Sequence, residues 1–560
     1  MDQDFVRLLT AASEAQLTRE LPVGSDPRRV GRELRRLVAG YLGESKYRHD
    51  PAILERSRQL TAELAASQHP DGTYDIGNLH SPPDTAFLVQ DLCVVWELLD
   101  QDDQGPTASI RTVIHEILQK AGPALATGGV HTPNHRWEVS AALARVHHII
   151  PDQRYVDRID EWLTEGIDAG PDGIYSERSA IYAAAVTNPS LLTIAWLLAR
   201  PELIEFVRRN LEATLYLLEP NGEVDVVASR RQDQFGVFDG WPYLLQFREL
   251  ALLDGDSRFA AVAQSIERRG TGELGDFLAE VLERPELAAP LPQPTEPQPA
   301  EPPTDFVQEF PSQASVRIRR GSRTATIFGG TDFHDVPVIA SGLSVNPTFF
   351  KLRHGDAILD SVRLAPQFFG TGHFHSEYLR RWSQSVVELG SEVAVPYYQP
   401  LSPERRAPDG RYPLTPDGRF YAAMDFGQRS RDYHKLRTAI TVAEVEKGFD
   451  LTFELTGSEA PYAIELCFRP GGVLSGVEAI DESGNFQLES GTGVYTVGED
   501  RIEFGPGSGA ARVGMDPGER YRMLNGSLVP DGLRVYLTGR APASQSLEIR
   551  YSQRLEFRTL

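Results

Sequence analysis

The chain has 560 residues, more than one compact domain usually holds, and its 41% hydrophobic and 24% charged content is ordinary globular usage. Wholesale disorder and collagen-like repetition are thereby excluded. Lys+Arg number 56 against 79 Asp+Glu, a net charge of −23, and only five of the cations are lysine. So acidic a chain repels phosphate backbones and anionic lipid, and no basic run offsets it, so neither nucleic acid nor a membrane surface is an expected partner.

The opening MDQDFVRLLTAASEAQ carries Asp2 and Asp4 and lacks the long apolar core of a secretory leader. No stretch of about 18 residues is apolar throughout and free of charge. The expectation is a cytoplasmic chain with no membrane span. Cys93 and Cys467 lie far apart in apolar contexts and read as small buried hydrophobes.

In chain order, Pro82-Pro83-Asp84 starts a helix in which Phe87, Leu88, Leu92, Val95, Trp96 and Leu99 recur at helical spacing. Similar stretches follow at 108–120, 134–150, 155–166, 189–199 and 201–218, with Pro or Gly at the joints. Medium helices joined by short turns predict antiparallel helical hairpins. Between Arg284 and Asp305 lie eight prolines, which sustain neither a helix nor an inner strand and predict an extended linker. Beyond it the period becomes two. Ser315–Arg319 turns at Gly321-Ser322 into Thr324–Phe328, and Leu451–Leu455, Leu533–Leu537, Leu547–Tyr551 and Leu555–Phe557 alternate likewise. An all-α half, 1–285, a linker, 286–304, and an antiparallel β-sandwich half, 305–560, are the expected domains.

Three clusters carry possible chemistry. His131-Thr132-Pro133-Asn134-His135-Arg136-Trp137-Glu138 opens a helix with Thr132 as N-cap and Pro133 at its first position. His135 and Glu138 then share a face. The turn is either merely solvated, or it presents the Asn134 amide and the His135 imidazole to an anion at a helix N-terminus. Asp172-Gly173-Ile174-Tyr175-Ser176-Glu177-Arg178-Ser179-Ala180-Ile181-Tyr182 begins with an Asp-Gly turn, and Tyr182 shares a face with Tyr175 if the segment is helical. Tyrosines in such places are often core or rim residues with a bonded hydroxyl. The third cluster, Gly370-Thr371-Gly372-His373-Phe374-His375-Ser376-Glu377, puts two imidazoles on one face if it is a strand. They fit a structural role, a metal-free polar role, or a metal site completed by His334, His354 or Glu377.

Together the clusters resemble the heparinase II/III-like polysaccharide lyases. Asn134-His135 is similar to their Asn-His pair, and Asp172-Gly-x-x-x-Glu177-x-Ser179-x-x-Tyr182 resembles the segment that carries their catalytic tyrosine. Gly372-His373-x-His375-x-Glu377 is similar to their Gly-His-x-His-x-Asp motif, with Glu in place of Asp. The resemblance implies an N-terminal (α/α) toroid followed by a large C-terminal antiparallel β-sandwich. It also implies β-elimination at a uronic acid, in which a base removes the C5 proton and the O4 leaving group departs without water.

Under that resemblance, Tyr182 shuttles the proton, with Arg178 as a neighbouring cation, and His135 is the alternative base. Asn134 and one imidazole, His373 or His375, neutralise the carboxylate, the larger catalytic task. Glu138, Arg178, Arg230, Arg231, Trp241 and His375 are the expected substrate contacts, with Trp382, Tyr397-Tyr398 and Arg405-Arg406 as further cleft candidates. No cofactor is required, a divalent metal on His334, His373 and His375 being the alternative. The expected partner is a uronate-containing oligosaccharide or polysaccharide, attacked in exo fashion on short chains. Two rivals remain. One is a toroidal glycoside hydrolase using carboxylates among Asp172, Glu177, Asp225 and Asp233. The other is a glycan-binding scaffold without activity.

Overall fold

The computed structural model describes residues 1–19, 21–22, 24–101, 105–294, 301–332, 345–417, 421–482, 484–507, 522–523, 526–527 and 531–553. Contacts divide the chain into two compact units. One comprises Met1–Val224 with Val237–Pro303, and the other Asp225–Gly236 with Thr304–Leu560. The short segment 225–236 thus belongs with the β-rich unit, although helical sequence flanks it.

The first unit is built of α1 (Gln3–Gln16), α2 (Pro27–Leu42), α3 (Pro51–Ser67), α4 (Pro82–Asp100), α5 (Ala108–Thr127), α6 (Pro133–Ile149), α7 (Gln153–Thr164), α8 (Ala180–Tyr182), α9 (Asn188–Leu197), α10 (Glu202–Leu217), α11 (Leu244–Asp254), α12 (Ser257–Arg269) and α13 (Leu278–Glu283). Their starts are written locally. Asp26, Asp50 and Ser81 cap α2, α3 and α4 through their side chains, each followed by proline at the first helical position. The helices α2, α4, α6 and α9 neighbour one another in succession, while α3, α5, α7 and α10 pack outside as their hairpin partners. This alternation of inner and outer helices is the (α/α) toroid arrangement.

Inner helices α4 and α6 run parallel. Phe87 faces His135, Gln90 bonds Glu138, and Glu97 lies 3.7 Å from Arg145, so both helices start at the same end. The π-helical turn Ala183–Thr187 joins α8 to α9 in one continuous helix, Ala180–Leu197. Among the described residues this is the one helix long and apolar enough to cross a membrane. With 61% of it buried inside the unit, it reads as a core helix.

The first part of the proline-rich stretch is docked rather than extended. Pro285–Ala288 forms a 3₁₀ turn, Leu287 and Leu291 are buried, and Arg248 donates to the carbonyls of Leu287 and Ala289 at 2.9 and 2.8 Å. Composition could not reveal this, because the anchor is a buried arginine forty residues upstream. Positions 295–300 of the expected linker lie outside the described residues.

In the second unit, a large sheet of fifteen strands among the described residues is antiparallel apart from the pairing of Asn485–Gln487 with Leu533–Gln553. Two long strands, Gly448–Phe468 and Leu533–Gln553, pair along most of their length with a register shift between Leu455 and Ala460. Before the shift, the strand Gly448–Phe468 pairs with Arg431–Val445; after it, with Ala357–Pro366. It therefore serves both layers of the sandwich, the usual way a bent strand turns a corner. Gly457 permits the bend, since its φ is +105° and a Cβ there would stand 2.3 Å from the Lys435 carbonyl. The core between the layers centres on Phe349, Phe350, Phe374, Phe449, Phe453 and Phe468, all buried.

Candidate active site

The site is best built from the N-terminal turn of α6. Pro133 takes the first helical position, as expected, but Thr132 makes no capping bond through its side chain. Asn134 follows, 1% exposed, and its Nδ2 donates to Glu177 Oε2 at 2.5 Å. This one hydrogen bond brings two of the sequence clusters together across 43 residues. Asn134 Oδ1 is buried with no hydrogen-bond partner among the described residues. The next residue, His135, is buried between the rings of His131 at 4.7 Å and Phe87 at 6.2 Å.

Glu138 turns inward, one helical turn on. It accepts from Gln90 Nε2 at 2.7 Å and from Ser190 Oγ at 3.3 Å. Burial, offset in part by the Arg28 charge and the Gln90 bond, pushes its carboxyl up to about 7. Arg28 itself lies over the Phe87 ring, 3.6 Å from its centroid. The sequence singled out neither Arg28, Gln90 nor Ser190. They stand on three other helices, and nothing in their spacing marks them.

The second cluster is not helical until its end. Gly173 makes the turn with φ +81°, and a Cβ there would stand 2.2 Å from the Arg209 carbonyl. Tyr175 is buried, its hydroxyl donating to Asn188 Oδ1 at 2.7 Å, so it does not share a helical face with Tyr182. Asn188 continues a buried amide network to Asn210 at 2.9 Å and Gln246 at 3.1 Å. Arg178 is half-buried in the left-handed region at φ 53°, and Ser179 then caps α8 by accepting from the Tyr182 backbone N–H at 3.2 Å. Tyr182 is half-buried on the first turn, directly before the π-helical turn. Such turns, i to i+5 in bonding, are frequent at functional sites.

In the β-rich unit the third cluster is a loop between Ala357–Pro366 and Tyr378–Arg381, and a strand is not what holds its histidines. Phe374 plugs into the core and its N–H donates to the Leu364 carbonyl at 2.8 Å, which fixes the residues on either side. His375 is buried with Nδ1 3.3 Å from Thr331 Oγ1. Desolvation, then the nearby Arg363 charge, pushes His373 down to about 3, so it stays neutral at physiological pH. Its Nδ1 is buried with no hydrogen-bond partner among the described residues. His334 lies outside the described residues. His354 stacks on Tyr551 at 5.2 Å, and Glu377 is exposed.

The remaining expected contacts have partners within the protein. Arg230 pairs with both oxygens of Asp332 at 2.6 and 2.8 Å, and the Arg231 backbone N–H is held by Ser229 Oγ at 3.0 Å. Trp241 is half-buried against Phe277, ring centroids 5.6 Å apart. Trp382 is 65% exposed and donates to Glu388 at 3.2 Å. Tyr397 and Tyr398 end the strand Val386–Tyr398.

At the level of sequence, no protein-family model and no curated relative matches the chain. Solved structures do match. Heparinase III superimposes with a TM-score of 0.56 at 11% identity, covering 96% of this chain and 79% of that one. A xanthan lyase from Paenibacillus gives 0.56 at 10% identity, covering 99% of this chain. The present chain spans 56% of that longer enzyme. The fold is that of heparinase III. A helical toroid followed by an antiparallel β-sandwich is thus both the expected and the observed architecture.

Proposed function

We propose that this protein is a polysaccharide lyase that cleaves the glycosidic bond to C4 of a uronic acid by β-elimination. The observation that carries the proposal is the Asn134–Glu177 hydrogen bond, which joins the N-terminal turn of α6 to the segment ending in Tyr182. Its geometry suits the chemistry. Removing the C5 proton pushes charge onto the substrate carboxylate, so donors aimed at that carboxylate lower the barrier most. The Asn134 amide has a second N–H to give, and Glu177 fixes the plane in which it is offered. The electron pair left at C5 forms the C4–C5 double bond as the C4–O4 bond breaks. Tyr182 moves the proton between C5 and O4, and His135 either activates it or replaces it as base.

The hydrolase reading draws less support. It needs two available carboxylates flanking the bond. Asp225 is buried against Lys351 and Arg317, Asp233 is buried and bonded by Ser229, and Glu177 is bound to Asn134. Incubation with a panel of uronate oligosaccharides separates the readings. Elimination yields a conjugated alkene and new ultraviolet absorbance at the non-reducing end of the product. Cleavage without absorbance would establish hydrolysis instead, and binding without cleavage the scaffold reading.

A further inference from the structure

Outside the proposed active site, the loop between α3 and α4 gathers His69, Asp75 and His80, each offering one ligand atom within 4.8 Å of the others. His69 Nε2 stands 3.0 Å from Asp75 Oδ1, close to the separation of neighbouring ligands around one ion, and the two imidazoles stack with centroids 4.0 Å apart. His80 Nδ1 lies 2.8 Å from Asp71 Oδ2. With the proton of that bond on Nδ1, the lone pair of His80 is on Nε2. A carboxylate behind a ligating imidazole is the usual outer-shell arrangement of metal-binding histidines.

The loop is held in shape independently of any ion. Asp71 accepts from the Thr73 backbone N–H and hydroxyl at 3.0 and 2.6 Å, and Asp75 accepts from the His80 backbone N–H at 2.7 Å. Gln68 Nε2 bonds the carbonyls of Gly72 and Ile117 at 3.0 and 3.1 Å, and the buried Tyr74 hydroxyl donates to Leu64 at 3.0 Å. His80 itself sits at φ 46°, a left-handed conformation that side-chain-bearing residues seldom adopt, and its ring stacks over His69.

We propose that His69, Asp75 and His80 form a binding site for a divalent transition ion of the Zn²⁺ type, with Asp71 orienting His80. Two imidazoles and one carboxylate suit such ions, whereas Mg²⁺ and Ca²⁺ favour all-oxygen ligands. Three protein ligands on an exposed loop leave the remaining positions to water. The loop leads directly into α4, whose first turns carry the Phe87 ring against His135, so a bound ion stiffens the same end of the toroid that holds Asn134.

The test is calorimetric titration of the full chain, stripped with a chelator, with Zn²⁺, Mn²⁺, Ca²⁺ and Mg²⁺ separately. Zn²⁺ is expected to bind with a stoichiometry of about one and to be preferred over Ca²⁺ and Mg²⁺. His69→Ala and His80→Ala should each abolish this binding, and Asp71→Asn should weaken it about 10–100-fold. The His373→Ala/His375→Ala variant should bind as the parent does. Co²⁺ absorption gives an independent readout, its visible bands vanishing in His80→Ala while far-ultraviolet dichroism confirms the fold. Zn²⁺ binding undiminished by His69→Ala and His80→Ala, no binding at all, or equal affinity for Ca²⁺ would overturn the proposal and leave an adventitious ion only.

Discussion

At Tyr182 the proposed chemistry rests on one hydroxyl. Tyr182→Phe keeps the ring packing beside the π-helical turn and removes only that group, so turnover should fall about 10²-fold or more with folding intact. A variant keeping a tenth of the parent kcat would remove Tyr182 from the reaction. Asn134→Ala removes a donor to developing charge and should cost about 10²–10³ in kcat on a uronate substrate. Glu138 makes a prediction in pH. Its folded value, pushed up to about 7 from an ordinary 4.5, means the fold favours the protonated form. Stability from this group is therefore full below pH 4.5 and is lost as pH rises to about 7. Glu138→Gln removes that slope. Relative to the parent, the variant should gain about 2–3 kcal/mol in unfolding free energy between about pH 5 and about pH 8. An unchanged difference across that range would show that Glu138 is ionised throughout.

Individual elements depend on contacts that local sequence does not name. The Asp172-Gly173 turn is required because the Arg209 backbone on α10 occupies the place of a Cβ. Gly173→Ala combines that clash with a left-handed φ, so it should destabilise the helical unit by at least about 2 kcal/mol, visible as an earlier thermal transition. The same turn carries Glu177 toward Asn134, so catalysis should suffer with it. A variant with unaltered melting would mean that the α10 backbone yields. In the β-rich unit, the histidine loop takes its shape from the buried Phe374 rather than from strand alternation. That is why the expected two-residue period fails there: a side chain anchored in the core overrides the pleat.

At the scale of the whole molecule, the segment 225–236 is contributed to the β-rich unit from within helical sequence. Asp225 is buried there with Lys351 Nζ at 3.2 Å, Arg317 at 3.7 Å, and the Thr326 hydroxyl. Despite its burial, those cations hold its carboxyl well below the usual range. The stability it supplies is accordingly present above an unfolded value near 3.8 and lost as pH falls further. Asp225→Asn leaves the buried Arg317 and the half-buried Lys351 facing a neutral amide and should cost about 3 kcal/mol, read from denaturant unfolding at neutral pH. A loss below about 1 kcal/mol, the worth of an exposed pair, would show that solvent reaches the cluster. The sequence segment 305–560 expressed alone lacks Asp225 and should fold poorly for the same reason.

Much of the architecture was legible in the chain itself. Capping residues followed by proline mark helix starts, apolar spacing of 3.6 marks their inner faces, and the change to a period of two marks the β half, because each signal acts over a few residues. The three motifs were legible for the same reason. What only the tertiary structure decided are the pairings over long separations: Asn134 with Glu177, Glu138 with Gln90 and Ser190, and Arg230 with Asp332. Burial fixed those partners, since a polar group removed from water must find a donor or acceptor wherever the fold brings one, and no local rule encodes where that is.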